Sequence, residues 1–295
     1  MRIRQKHLQE IRGFLQKQLS LRGAVFSLPE GSGRETYVVE SNGRSYFVKV
    51  GAPVERYIAM ASIGLTPPIL AHGQLDGGDS VLVQPFVPGR KPSQRDYWDQ
   101  LETIAQITSR MQHDTQVRSL IPGAVSDLHK DAALHALGAL CATWDQFRDQ
   151  VPDVAAFVDH SLAWLATQID SFSTQGLVAS HNDICNANWL FADDGNIYLI
   201  DFDSMALEDP AVDLGALLWW YYPPELRRRF LDIAGYGHDE KLEFRMRIRM
   251  SMHCLQIALP RQGTFDVFSR DHFHDRMEDF RASLEGKENP KGYRG

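Results

Sequence analysis

Two neighbouring stretches of the chain decide its fold, HNDICNAN at residues 181–188 and YLIDFD at residues 198–203. Asp183 and Asn188 are five positions apart, and Asp201 follows Asn188 by thirteen positions at the end of an apolar run. Each piece alone is weak, because Asp and Asn in loops commonly serve turns. The ordered set of loop, strand and strand-terminal Asp is more specific than any of its parts.

The spacing matches the pattern H-x-D-x-x-x-x-N followed by a strand-terminal Asp, which is the phosphoryl-transfer arrangement of protein kinases. A carboxylate beside an incoming hydroxyl orients that hydroxyl and accepts its proton as the new bond forms. A carboxamide and a carboxylate supply hard oxygen ligands for Mg²⁺, which neutralises charge on phosphates. The residue types therefore predict transfer of a phosphoryl group to a hydroxyl.

Together with DPAVDL at residues 209–214, these stretches resemble the aminoglycoside phosphotransferase and choline kinase-like family, relatives of protein kinases. The resemblance covers about residues 24–260. It implies that Asp183 is the catalytic base and that Asn188 and Asp201 bind Mg²⁺. The residues to which it assigns structural support of the site are His181 and Asp213.

The N-terminal half predicts a nucleotide-binding sheet. A glycine-containing loop follows its first strand and would let backbone N–H groups approach phosphate; its residues are Gly31, Ser32 and Gly33. Lys49 is a cation inside an apolar strand and needs an anionic partner, which the resemblance implies is ATP. Glu55, early in the next helix, is the expected ion-pair partner of Lys49. Each assignment has an alternative. The glycine loop could be an ordinary turn, Lys49 could face solvent from an edge strand, and Glu55 could interact only with the dipole of its own helix.

Periodicity predicts an α+β fold of the bilobal protein-kinase-like type. Short β-branched and aromatic segments predict a five-stranded antiparallel sheet; they span residues 24–28, 36–40, 45–50, 69–74 and 80–86. Helical spacing predicts a first helix over residues 2–19 and one inserted in the sheet over residues 54–63. We expect an N-lobe over residues 1–88, a mainly helical C-lobe over residues 89–285 and a flexible tail over residues 286–295.

Composition narrows the function classes. The chain of 295 residues carries 31 Lys and Arg against 38 Asp and Glu, a net charge of −7, which argues against nucleic-acid binding and is compatible with a cationic acceptor. Its 3 cysteines form neither a disulfide framework nor a Cys-x-x-Cys zinc site. The charged N-terminus is unlike a signal peptide, and no apolar run approaches the ~18 residues of a membrane span. We expect a cytoplasmic protein without a membrane partner, and the oligomeric state is not indicated.

We expect a kinase that uses ATP and Mg²⁺ to phosphorylate a hydroxyl of a small molecule, similar to aminoglycoside phosphotransferases. Choline, homoserine and sugar kinases are alternatives, because a fold does not determine a substrate. A nucleotide-binding regulatory module without transfer activity is an alternative of another class. A protein substrate is disfavoured, because no long activation segment separates Asp201 from Asp209. The aromatic run at residues 219–222 either lines an acceptor pocket or packs in the core.

Overall fold

The computed structural model describes residues 5–28, 35–124, 126–260 and 267–291. The predicted phosphate loop of Gly31, Ser32 and Gly33 lies outside these residues. The chain divides into two compact units, residues 1–91 with 187–204 and residues 92–186 with 205–295. Residues 187–204, which the sequence analysis placed in the C-lobe, thus group with the first unit.

The described residues form the following elements. The helices are α1 (Gln5–Leu19), α2 (Val54–Ser62), α3 (Gln94–Asp99), α4 (Leu101–His113), α5 (Thr115–Leu120), α6 (His129–Phe147), α7 (Pro152–Ile169), α8 (Ala211–Tyr221), α9 (Pro224–Ile233), α10 (Glu240–Ala258) and α11 (Arg270–Leu284). The strands are β1 (Val25–Ser27), β2 (Thr36–Ser41), β3 (Arg44–Val50), β4 (Ala71–Gln74), β5 (Ser80–Pro85), β6 (Gly89–Arg90), β7 (Val178–Ser180), β8 (Trp189–Ala192), β9 (Ile197–Leu199) and β10 (Ala206–Glu208). Short 3-10 helices span Arg148–Gln150, Asn186–Asn188 and Phe202–Ser204.

The first unit contains the five-stranded antiparallel sheet, in the order β1-β2-β3-β5-β4. The predicted α+β fold with a five-stranded antiparallel sheet is therefore confirmed. Asn42 and Gly43 join β2 to β3 with positive φ angles of 54° and 71°. A two-residue type I′ hairpin turn requires positive φ at both of its central residues. Lys49 lies in the central strand β3, opposite Thr36 and Leu82. The alternative of a solvent-facing lysine at a sheet edge is therefore excluded.

One face of this sheet packs against α1, and the opposite face carries Lys49. Ile11 and Leu15 of α1 pack in one apolar cluster with Val48 of β3 and with alternate residues of β2 and β5. Successive side chains of a strand point to opposite faces. Lys49, next to Val48, consequently points away from the face that α1 covers.

The second unit is mainly helical. Its core is formed chiefly by α6, α7, α10 and α11, where Trp144 stacks on Phe273 at 5.7 Å between ring centroids. Strands β7 and β10 pair in this unit. Residues 286–291, predicted as part of a flexible tail, make individual contacts here: Asn289 is buried, and the Lys287 carbonyl accepts the indole N–H of Trp219. No helix among the described residues is long and apolar enough to cross a bilayer.

Candidate functional site

Lys49 lies at the centre of a buried cluster of polar groups in the first unit. Its Nζ is 2.7 Å from Oδ1 of Asp201 and 2.8 Å from Oδ2 of Asp203. It also donates a hydrogen bond of 2.7 Å to the hydroxyl of Tyr57. The Lys49 side chain is 5% exposed, and a cation at such a depth is tolerated only with anionic partners. The structure thus brings together Lys49 and Asp201, two residues that the sequence analysis named separately.

The β8–β9 hairpin positions Asn188 and Asp201. Trp189 pairs with Leu199, and the Ile200 N–H donates to the Asn188 carbonyl at 2.9 Å. Asn188 thus comes directly before the hairpin and Asp201 shortly after it, at the same open end. Asn188 is buried, whereas the Asp201 side chain is 47% exposed. Asp201 has a φ of 66°, a left-handed conformation that costs energy for a non-glycine residue and is concentrated at functional sites.

Glu55 does not pair with Lys49, and this prediction is corrected. The partners of Lys49 among the described residues are Asp201, Asp203 and Tyr57, while Glu55 is exposed. Residues two positions apart in an α-helix are rotated about 200° from one another around the helix axis. A helix that turns Tyr57 inward therefore turns Glu55 outward. The first turn of α2 remains a favourable place for a carboxylate, because the helix dipole is positive there.

In the second unit, the loop that follows β7 is braced by Asp213. Oδ2 of Asp213 accepts the N–H of His181 at 2.7 Å, and Oδ1 accepts the N–H of Asn182 at 3.0 Å. Asp213 lies in the first turn of α8 and is 1% exposed. Burial raises the pKa of Asp213, and its interactions with His181, Ser180 and Asn182 oppose that rise.

Further contacts fix the rest of this loop around Asp183. The Asp183 N–H donates to Nδ1 of buried His181 at 3.3 Å, so that ring nitrogen acts as an acceptor. Farther along, the Asn186 N–H donates to the hydroxyl of Tyr221 at 2.8 Å. Tyr221 is itself stacked on Tyr97, with ring centroids 4.3 Å apart. The Asp183 backbone is therefore held between two anchored points of the loop.

The first Asp of DPAVDL has a different role from the second. Asp209 is fully buried, accepts the Ala211 N–H at the start of α8, and forms an ion pair of 2.8 Å with Arg245 of α10. Asp209 therefore ties α8 to α10, while Asp213 ties α8 to the loop of Asp183. The motif holds the loop on the helical core of the second unit.

Three residues of these clusters were missed by sequence reasoning. Asp203 has no role in the motif, although its place two residues after Asp201 was a usable signal. Tyr57 had no distinctive local pattern, and Tyr221 was noted only as a member of the aromatic run, not as a contact of the Asp183 loop. Within the aromatic run, Trp219, Tyr221 and Tyr222 are buried, so most of the run is core.

The donor set for a metal is small. The described residues contain no cluster of three or more His, Cys, Asp or Glu side chains that could hold a metal ion. Asn188 and Asp201 carry the hard oxygen donors that Mg²⁺ prefers, and this ion is usually held by one or two protein carboxylates together with phosphate oxygens and water. Half-exposed Asp201 is compatible with such a shared site.

Comparisons with known proteins place this architecture in a family. The chain is similar to a candidate aminoglycoside phosphotransferase from Ralstonia eutropha JMP134, with 13% identity, a TM-score of 0.70, and 94% of this chain and 97% of that chain covered. A choline/ethanolamine kinase family protein from Mesorhizobium loti has 16% identity and a TM-score of 0.64, with 94% and 98% covered.

A third solved structure is spectinomycin phosphotransferase in complex with ADP and spectinomycin, with 14% identity, a TM-score of 0.59, and 94% and 93% covered. These likenesses show the fold. The model of the APH family, described as the phosphotransferase enzyme family, matches residues 27–245. Because this match covers well over half of the chain, the chain belongs to the phosphotransferase enzyme family.

Proposed function

We propose that this protein uses ATP and Mg²⁺ to phosphorylate a hydroxyl of a small, aminoglycoside-like acceptor. The observation that carries the proposal is the buried Nζ of Lys49, 2.7 Å from the half-exposed carboxylate of Asp201. A fixed cation beside a hard oxygen ligand suits a nucleotide phosphate chain with its metal ion. The ADP complex of spectinomycin phosphotransferase, a protein of the same fold, supports a nucleotide donor.

The proposed roles follow the chemistry of each side chain. Lys49 aligns the phosphates, while Asn188 and Asp201 would hold Mg²⁺. When bound, the metal ion neutralises negative charge on the transferring phosphoryl group. Asp183 orients the acceptor hydroxyl and takes up its proton during transfer. Asp213 limits movement of the Asp183 loop, because it accepts two backbone N–H groups there.

Nucleotide binding belongs to the N-lobe in this proposal, and acceptor recognition belongs to the helical C-lobe. The choline alternative would use aromatic faces around a quaternary amine. Trp219, Tyr221 and Tyr222 do not offer such faces, because they are buried against their own unit. This burial favours an acceptor that is recognised by hydrogen bonds and charge, as an aminoglycoside is.

The test measures nucleotide consumption and phosphorylated product across a panel of aminoglycosides, spectinomycin, choline, homoserine and simple sugars, with ATP and with GTP. We expect an acceptor-dependent mass gain of one phosphate with an aminoglycoside-type compound. Tight ATP–Mg²⁺ binding without product on any acceptor would instead support a regulatory module. A product formed only from choline would overturn the acceptor class.

The proposed base is tested by Asp183→Asn. Because the amide cannot take up the hydroxyl proton, turnover should fall by about 10²–10⁴. Nucleotide affinity and the thermal midpoint should stay near those of the parent protein. Asp193→Asn, the same change at an exposed loop residue, is the matched control. Turnover of Asp183→Asn within a few fold of this control would refute the role of Asp183.

A further inference from the structure

We infer that Asp203 and Tyr57 form a fixed clamp that positions Lys49 for the nucleotide phosphates. In protein kinases the corresponding lysine is positioned by a glutamate of the following helix. Here the helix glutamate points outward, and the clamp supplies the anion and the hydrogen bond that hold the lysine. This inference rests on the proposed function, and it makes Asp203 and Tyr57 positioning residues rather than catalytic ones.

The two carboxylates beside Lys49 differ in exposure. Asp201 is 47% exposed and can reach a ligand, whereas Asp203 is 5% exposed and lies 2.8 Å from Nζ. A buried carboxylate is stable only when its oxygens are paired. Oδ2 of Asp203 has Lys49, and Oδ1 accepts the hydroxyl of Tyr57 at 3.2 Å. Asp203 is thus a standing counter-ion of Lys49, and the half-exposed Asp201 is the carboxylate that Lys49 would share with a metal ion.

The backbone around Asp203 is fixed by α2. Arg56 donates from Nη1 to the carbonyl oxygens of Phe202 and Asp203. The ring of Phe202 packs edge-on against the ring of Tyr57, with centroids 5.2 Å apart. Consecutive residues of α2 therefore hold both the backbone and the side chain of the Asp203 turn. A clamp with this many attachments keeps its geometry when Asp201 changes partner.

The Tyr57 hydroxyl links Lys49 to Asp203 through two hydrogen bonds. It accepts a hydrogen bond from Nζ of Lys49 and donates a hydrogen bond to Oδ1 of Asp203. Burial, followed by the charges of Asp203 and Asp201, raises the pKa of Tyr57 well above its ordinary value. The hydroxyl consequently stays protonated throughout the working pH range, and the chain from lysine to tyrosine to aspartate persists.

The central variant is Asp203→Asn, which keeps the shape of the side chain and removes its charge. Lys49 then loses one of its two carboxylate partners and holds Asp201 more tightly, so the lysine competes more strongly with Mg²⁺ for Asp201. We expect kcat/KM for ATP to fall by about thirtyfold or more, since truncating one partner of a buried charge pair has effects of that size. The Mg²⁺ concentration for half-maximal rate should rise, and excess Mg²⁺ should restore part of kcat. General loss of structure would not respond to Mg²⁺ in this way.

Two measurements avoid dependence on turnover. Calorimetry gives the affinity for ADP without an acceptor, which should fall in Asp203→Asn. Mass spectrometry after brief labelling with an amine reagent, without nucleotide, should show faster modification of Lys49, because the lysine is held less tightly. Tyr57→Phe keeps the ring packed on Phe202 and should weaken ADP binding by about three- to tenfold. This second variant keeps the test decisive if Asp203→Asn folds poorly.

Asp76→Asn, in the exposed turn between β4 and β5, is the matched control. The inference is overturned if Asp203→Asn and Tyr57→Phe both behave like this control in ADP affinity and Lys49 labelling. It is also overturned if Glu55→Gln weakens ADP binding as much as Asp203→Asn, because the helix glutamate would then position the lysine. Failure of the proposed function is a separate result: the parent protein would form no phosphorylated product, while both binding measurements could still support the clamp.

Discussion

Replacing Asp213 by asparagine should loosen the loop that carries Asp183. The carboxylate accepts two backbone N–H groups, at 2.7 Å and 3.0 Å, from a position that is 1% exposed. Asparagine has a single carbonyl oxygen, so one of these N–H groups would face an amide NH₂. A buried donor without a partner costs about 1–3 kcal/mol.

The same substitution removes a charge that burial disfavours, since burial raises the pKa of Asp213. This gain partly offsets the loss, so we expect a net destabilisation of about 1–2 kcal/mol, in the lower part of that range. For a chain of this size that corresponds to a fall in Tm of roughly 2–3 °C. Because small displacements of a reacting group cost up to about a hundredfold in rate, kcat should fall about ten- to a hundredfold.

Thermal unfolding followed by circular dichroism measures the first effect, and steady-state kinetics measures the second. Asp127→Asn is the matched control, because Asp127 also accepts a backbone N–H, from Leu177 at 3.0 Å. Its side chain is 50% exposed, so its loss should cost at most about 1 kcal/mol. If Asp213→Asn unfolds at the temperature of this control and retains full kcat, bracing of the loop by Asp213 is refuted.

Two further predictions concern packing and pH. In Gly89→Ala the new Cβ would lie 2.4 Å from the Phe191 carbonyl oxygen, so the β6–β8 pairing must shift and stability should fall by about 1–3 kcal/mol in urea unfolding. Gly138→Ala, in α6 with no atom within 4 Å of the new Cβ, should instead gain about 0.5–1 kcal/mol; equal effects of the two changes would contradict the packing argument. Hydrogen bonds from Arg148 and Trp144 lower the pKa of Asp159 below its ordinary value of 3.8. The ionised Asp159 therefore stabilises the folded state above pH 3.8, and this stabilisation is lost as the pH falls through the lowered pKa. The Tm difference between the parent protein and Asp159→Asn should therefore shrink below about pH 4, and a difference that grows there would show the sign to be wrong.

Much of the fold could be predicted because its signals are local. Short β-branched and aromatic segments marked the strands of the five-stranded sheet, and Asn42-Gly43 lies at the hairpin between two of them. The regular spacing of Ile11 and Leu15 marked the buried face of α1. Such patterns depend on backbone geometry that repeats every two or about 3.6 residues, so they are readable without knowing the neighbours.

The candidate site was only partly accessible by the same route. The roles proposed for Asp183, Asn188 and Asp201 come from an ordered motif within one short stretch of chain. The partner of Lys49 could not be found in that way, because Asp203 is more than a hundred and fifty positions away in sequence. Glu55 was near enough in sequence to be suggested, but helix rotation turned it outward.

The sequence by itself determined which chemical groups are available, in what order, and on which kind of element each is placed. The tertiary structure decided which of them meet: Asp203 and Tyr57 at Lys49, and Asp213 at the loop of Asp183. The physical reason is that burial penalises any unpaired charge or polar group, and the partner that removes the penalty is whichever side chain the packing brings within reach.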